Sequence, residues 1–218
     1  NDPDEFVRTT ASNALERLGP DAVLALIDGL RSDDPQIREM AAEVLGSLGP
    51  EASLAVPALL LAMGDEQPEV RRGASEAMGE IGSDAVPTLI NALSSDDARI
   101  RLGAATALSE MGTRAQTAIP ALIDVLNDED DEVSATAAHA LATIGPAAED
   151  ALPTLRELLP DKDNSVAVWL ARALWKIDQD TDTAVPAFVK ALKDDDARVR
   201  LLAAEFLAEI GPLAETAI

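Results

Sequence analysis

At 218 residues, 47% hydrophobic but only 2% aromatic, the chain is long enough for one large domain or two small ones, and its apolar content is the Ala, Leu, Val and Ile of closely packed helices. The absence of Cys excludes disulfides, thiolate metal sites and cysteine nucleophiles. Forty acidic against 17 basic residues give a formal charge of −23, a field that repels phosphate backbones and anionic bilayers, so neither nucleic acid nor membrane is expected as a partner. The acids are read as solvating an Ala-rich surface or adapting it to salt. No apolar run approaches the roughly 18 residues of a membrane span. No charged-then-apolar leader opens the chain, which begins at Asn1. The compartment stays unassigned, with a lean to the cytoplasm.

The first predicted helix starts after Asp4 and runs from Val7 toward Gly19, and the same phrase then returns to the end of the chain. Its leading apolar residue recurs as Ile37, Val70, Ile100, Val133, Val166 and Val199, at spacings of 30, 33, 30, 33, 33 and 33 residues. Twelve residues after each stands Gly19, Gly49, Gly82, Gly112, Gly145, Asp178 or Gly211. Seven phases fill the chain, over residues 1–32, 33–64, 65–95, 96–127, 128–160, 161–193 and 194–218, the last of them truncated.

Each phase predicts two helices. In the first, apolar or small residues at offsets 0, +3, +4, +7, +8 and +11 form one helical face, as in Val70, Gly73, Ala74, Ala77, Met78 and Ile81. Offset +5 is always Ser or Ala, which lets the next helix come close. Asp4, Asp34, Asp97, Asp130, Asp163 and Asp196 stand at the N-cap, with Gln67 the one departure. The Gly past the last apolar residue is expected in the left-handed conformation that stops the helix. A shorter second helix follows, led by Val23-Leu24, Val56-Pro57, Val86-Pro87, Ile119-Pro120, Leu152-Pro153 or Val185-Pro186, since Pro is tolerated in a first turn. The difference between 30 and 33 residues is placed in the connection between the two helices.

A hairpin of about 30 residues cannot bury its apolar face alone, whereas stacked hairpins can. The fold class is therefore all-α, an α-solenoid of about seven stacked hairpins in a single domain over 1–218. The run Asp196 to Pro212, DARVRLLAAEFLAEIGP, and the run Val86 to Leu93, VPTLINAL, resemble HEAT repeats, most closely the short repeats of the phycobilin lyase type. That resemblance covers all 218 residues. It implies a right-handed superhelix whose Val-Arg helices line the concave surface and whose Val-Pro helices line the convex one. The chain opens almost at a Val-Arg helix and closes at Thr216-Ala217-Ile218 with no polar cap, so it reads as a segment of a longer solenoid, and as a monomer.

Five repeats carry Arg after the leading residue, namely Arg8, Arg38, Arg71, Arg101 and Arg200, beside Asp-rich loops. They are read as a structural ladder of hydrogen-bonded ion pairs between repeats, which Ser134 and Ala167 interrupt. The sixth repeat departs most. It replaces its Gly by Asp178 and groups Trp169, Arg172, Trp175, Lys176, Phe188 and Lys190 in a chain otherwise nearly free of aromatics. Offsets +2, +6, +9 and +10 are assigned to the groove, so Val168, Arg172, Trp175 and Lys176 are expected to line it with Trp169 on the border. Aromatic and Arg side chains dominate binding hot spots, so this patch is a candidate seat for an acidic or aromatic-bearing peptide. The structural alternative pairs Arg172 and Lys176 with Glu205 and Glu209 of the next repeat and packs the tryptophans on Leu201 and Leu202. His139, the only histidine, is expected exposed in the groove beside them; its neighbours Ala138 and Ala140 supply no metal ligand. The acidic runs 128–132 and 194–196 lack the spacing of a calcium loop and are read as caps and solvation. No metal or cofactor is expected.

These features point to a non-enzymatic scaffold that holds a protein or peptide in its groove. Two alternatives come from other classes. One is a HEAT-like enzyme or a bilin lyase or chaperone, for which Glu43, Glu76 or Glu80 are conceivable acid–base groups. The other is a structural spacer in a larger chain.

Overall fold

The computed structural model describes residues 22–216. Asp4, Val7, Arg8, Gly19 and the predicted first helix lie outside the described residues. The α-helices are α1 (Val23–Gly29), α2 (Pro35–Ser47), α3 (Val56–Ala62), α4 (Pro68–Ile81), α5 (Val86–Ala92), α6 (Ala98–Met111), α7 (Ile119–Asp124), α8 (Asp131–Ile144), α9 (Leu152–Leu158), α10 (Asn164–Asp178), α11 (Thr181–Ala191) and α12 (Ala197–Ile210). No strand occurs among the described residues, and the fold is an all-α stack of helical hairpins.

The start signals act largely as predicted. Asp34, Asp97, Asp130 and Asp196 hold extended backbone, and each accepts a hydrogen bond from an N–H of the first turn: Gln36, Arg99, Glu132 and Arg198 respectively. Asp163 is a correction. It occupies the cap position of α10 without a side-chain hydrogen bond to the first turn. Gln67 makes none either, and Asp180, which the repeat pattern does not single out, caps α11 through the Thr183 N–H.

The stop signals differ from expectation in one respect. Gly82, Gly112, Gly145 and Gly211 all have positive φ, but with ψ between −125° and −143° they occupy the mirror of the extended region, open almost only to Gly, and not the left-handed helical one. In the sixth repeat, where Asp178 replaces this Gly, the turn passes to Gln179 at φ 64°, ψ 28°, which is left-handed helical. The second helix then lengthens to 11 residues and takes Pro186 into its interior. Elsewhere a 3₁₀ turn links the two helices. It covers Gly49–Ala55 in the second repeat and only Gly82–Asp84 in the third, where the repeat is three residues shorter.

The chain divides into two compact units, Asn1–Arg114 and Ala115–Ile218. In the first unit α2 packs on α4 and α4 on α6, with α3 and α5 as the outer layer on α4 and α6. Leu45, Leu59, Met63, Met78, Ile81, Leu89, Leu93 and Leu108 form its core. Small residues let the helices close up: a Cβ on Gly46 of α2 would lie 3.1 Å from the Ala77 Cα of α4. In the second unit α8 packs on α10, α10 on α11 and α12, and α11 on α12. Its core adds aromatics, with Phe188 and Phe206 meeting edge to face at 5.6 Å between centroids.

Candidate functional site

The Arg ladder is directed at carbonyls more than at carboxylates. Nη1 of Arg38, Arg71, Arg101 and Arg200 donates to two backbone oxygens of the loop before its own helix: Ser32 and Asp33, Asp65 and Glu66, Ser95 and Asp96, and Asp194 and Asp195. Each Arg thus clamps the turn that starts its helix. Arg38 adds a fork to a carboxylate of the next repeat, with Nε and Nη2 at 2.7 and 2.9 Å from the two oxygens of Asp65. That bond holds the Asp65 carboxyl below the usual range. Where the ladder lapses, the buried Ser134 hydroxyl donates to the Leu126 carbonyl. In the Ala167 repeat, Asn164 Nδ2 reaches Asp194 of the next repeat at 2.8 Å.

The first unit contains a cavity of about 410 Å³ lined by Glu43, Gly46, Ser47, Gly73, Glu76, Ala77, Glu80 and Glu110. At about 100° per residue, offsets +6 and +10 lie near 240° and 280°, so one stripe of each Val-Arg helix carries these glutamates. They line one face of α2, α4 and α6, over a floor of Gly and Ala. Arg72 is the cation at their edge, 2.7 Å from Glu76 and 3.6 and 3.7 Å from Glu39 and Glu43. A second cavity of about 270 Å³ continues from Glu76 and Glu110 toward Arg71, Arg72, Arg99 and Leu102. Glu110, which sequence reasoning missed, sits against α4 where Gly79 leaves room: a Cβ there would lie 2.6 Å from its Oε2. Its edge remains accessible, but the groove crowds it. Burial, then the charges of Glu76 and Glu80, push its carboxyl up to about 7.

The second unit gathers much of the predicted patch, differently arranged. Trp169 on α10 meets His139 of α8 at 4.8 Å and Phe206 of α12 at 5.2 Å, both edge to face. The Arg172 guanidinium lies 4.8 Å from the Phe206 ring and donates from Nη1 to His139 Nδ1 at 3.2 Å. Because Arg can only donate, that ring nitrogen accepts and the imidazole proton is on Nε2. His139 is therefore not the exposed side chain expected. It is half-buried, and burial followed by the Arg172 charge lowers its pKa to about 4. Glu209 joins Arg172, at 3.6 Å, and Lys176.

Three further expectations are corrected. Val168 is fully buried and Trp175 is 7% exposed, so neither lines the groove; with Ala171 they pack against α11 and α12. At about 100° per residue, offsets +2 and +9 fall near 200° and 180°, next to +5 at 140°, on the flank that meets the next helix. Glu205 is exposed and pairs with neither Arg172 nor Lys176. Leu201, 60% exposed, gives the tryptophans no cover, although Leu202 packs on the cluster. Phe206 is the member that sequence reasoning missed, because its +7 offset reads as ordinary core.

Among the described residues no group of three or more His, Asp or Glu is placed to hold a metal ion, and no helix is long and apolar enough to cross a membrane. No curated protein matches the chain. Among solved structures, an engineered protein from the Northeast Structural Genomics Consortium is similar at 27% identity and TM-score 0.50, over 86% of this chain and 96% of that one. A designed armadillo repeat protein is similar at 21% identity and TM-score 0.50, over 88% and 100%. The karyopherin Kap121p, bound to the extreme C-terminus of the protein phosphatase Cdc14p, is similar at 16% identity and TM-score 0.71, over 93% of this chain. The match spans 28% of Kap121p, and at that identity the likeness is one of fold. The family model for HEAT repeats matches residues 1–56, 56–118, 112–174 and 158–218, so the chain belongs to the HEAT-repeat family.

Proposed function

We propose that this protein is a non-catalytic interaction scaffold whose first unit holds an extended, cationic segment of a partner protein. The observation that carries the reading is the cavity of about 410 Å³ walled by Glu43, Glu76, Glu80 and Glu110. A space of some 300–1,000 Å³ suits a few side chains of a ligand. The Gly46, Gly73 and Ala77 floor lets a ligand backbone come close, and the glutamates favour Lys or Arg over neutral side chains. Arg72 is already paired with Glu39, Glu43 and Glu76, so it adds less repulsion than a free cation would. The likeness to part of Kap121p, a protein bound in that structure to the extreme C-terminus of Cdc14p, is compatible with a role in protein binding.

The test uses a fluorescein-labelled peptide alternating Lys, Arg and Gly, titrated by anisotropy at several salt concentrations. Saturable binding that weakens with salt is expected, with Glu76→Lys plus Glu80→Lys reducing affinity at least about ten-fold, a difference of about 1.4 kcal/mol. Equal binding to the variant, or none to the native protein, would overturn the reading.

A further inference from the structure

The cluster of the second unit already contains an anion, supplied by the chain itself. Glu209 of α12 places one carboxylate oxygen on Lys176 Nζ and the other 3.6 Å from Arg172 Nε. The second contact is too long for a hydrogen bond. Arg172 Nε is accordingly a buried donor without a hydrogen-bond partner, and leaving such a charged donor unmet is costly. The two cations are nonetheless held firmly. Arg172 is fixed by His139 Nδ1 at 3.2 Å and lies between Phe206 and Trp169, its guanidinium carbon 4.8 and 5.8 Å from their ring centroids. Lys176 Nζ sits 4.6 Å from the Trp175 ring centroid. Glu209 is different: it is exposed and joins the pair on a flexible stem. Two cations with aromatic walls thus face an exposed carboxylate that satisfies only part of what they offer.

We propose that Arg172 and Lys176 form a carboxylate-binding seat, occupied by Glu209 in the free chain, and that an Asp or Glu side chain of an acidic partner segment displaces Glu209 and takes the seat. An incoming carboxylate free to align on the guanidinium would hydrogen-bond to Nε, which Glu209 does not reach. An apolar residue beside it in the ligand would rest against Trp169 and Phe206. The overall negative charge is screened beyond about 8 Å at physiological salt, so the local pair governs the encounter at short range. This seat is independent of the glutamate groove of the first unit, and either can fail without the other.

The probe is the peptide acetyl-Gly-Glu-Leu-Glu-Gly-amide, blocked at both ends so that only side-chain carboxylates compete, with its Gln counterpart as control. Trp169 and Trp175 are the only tryptophans, so intrinsic fluorescence reports this unit. Glu209→Gln vacates the seat of its competing charge and is expected to lower the Kd for the Glu peptide at least about ten-fold, or about 1.4 kcal/mol. The Gln peptide should gain nothing, and adding Arg172→Gln should abolish the gain. Circular dichroism checks folding. Should Glu209→Gln not fold, Glu209→Asp, which keeps the charge on a shorter stem, is expected to give a smaller gain of the same sign. No saturable change in a folded Glu209 variant, or a gain that survives Arg172→Gln, would overturn the proposal.

Discussion

The two units repeat one hairpin design yet fill the corresponding stripe of their Val-Arg helices in opposite ways. In the first, offsets +6 and +10 supply Glu43, Glu76, Glu80 and Glu110 above Gly46, Gly73 and Gly79, and the space between them stays open. In the second, the same offsets supply His139, Arg172, Lys176 and Glu209, and Trp169 and Phe206 pack among them. Side-chain volume and charge along that stripe distinguish the two cases. A small residue at +9 or +3 leaves a hollow that like charges keep hydrated, whereas an aromatic at +3 draws a guanidinium and its counter-ion over itself.

The largest way to break this contrast is Phe206→Ala. Removing the ring that touches Trp169, Phe188 and Arg172 should destabilise the second unit by about 3–4 kcal/mol, read as a shifted urea midpoint in Trp fluorescence. A cost below about 1 kcal/mol would mean that the cluster is not packed as described.

Next comes the pH dependence of His139. Its imidazole protonates near 6.5 when unfolded and about 4 when folded, so the unfolded chain binds the proton first. Stability from this group is fully present above 6.5 and is lost as pH falls toward 4, by on the order of 2–3 kcal/mol. His139→Gln should flatten the native protein's slope in that window; urea melts at pH 7 and pH 4.5 would show it.

Arg38→Ala addresses the ladder in the first unit. It removes the fork to Asp65 and the clamp on Ser32, and an expected loss of about 1.5–3 kcal/mol would show in the denaturation midpoint. Arg200→Ala, which lacks a carboxylate fork, should cost less.

The smallest effect is Glu110→Gln, with the opposite sign. This carboxyl loses its proton near 4.5 when unfolded and about 7 when folded, so the folded chain keeps the proton longer and stability from this group falls as pH rises between those values. Solvent screening of a partly exposed group trims the effect to about 1 kcal/mol or less. The variant should therefore be slightly more stable than the native protein at pH 8 and indistinguishable at pH 4, in thermal melts.

Much of this architecture is legible in the chain. Repeat phase, four described Asp caps and the Gly stops follow from local rules that each hairpin satisfies by itself. What depends on a neighbouring repeat is less legible. Val168 and Trp175 read as groove residues because they lie off the apolar face, yet they fall on the flank that the following helix covers. Glu205 and Glu209 are equivalent by charge and helical spacing; only the placement of α12 beside α10 decides that Glu209 takes the cations. Glu110 shares the +10 offset of Glu80, but its crowding is hidden from the sequence because it depends on Gly79 of the preceding repeat.

The most direct measurement is an amide NMR titration of the native protein with the Lys/Arg/Gly peptide. Shifts concentrated at Gly46, Gly73, Ala77 and Gly79, with both Trp indole signals unmoved, are predicted. Shifts centred on the indoles, or a saturating titration that leaves those four amides unchanged, would contradict the account.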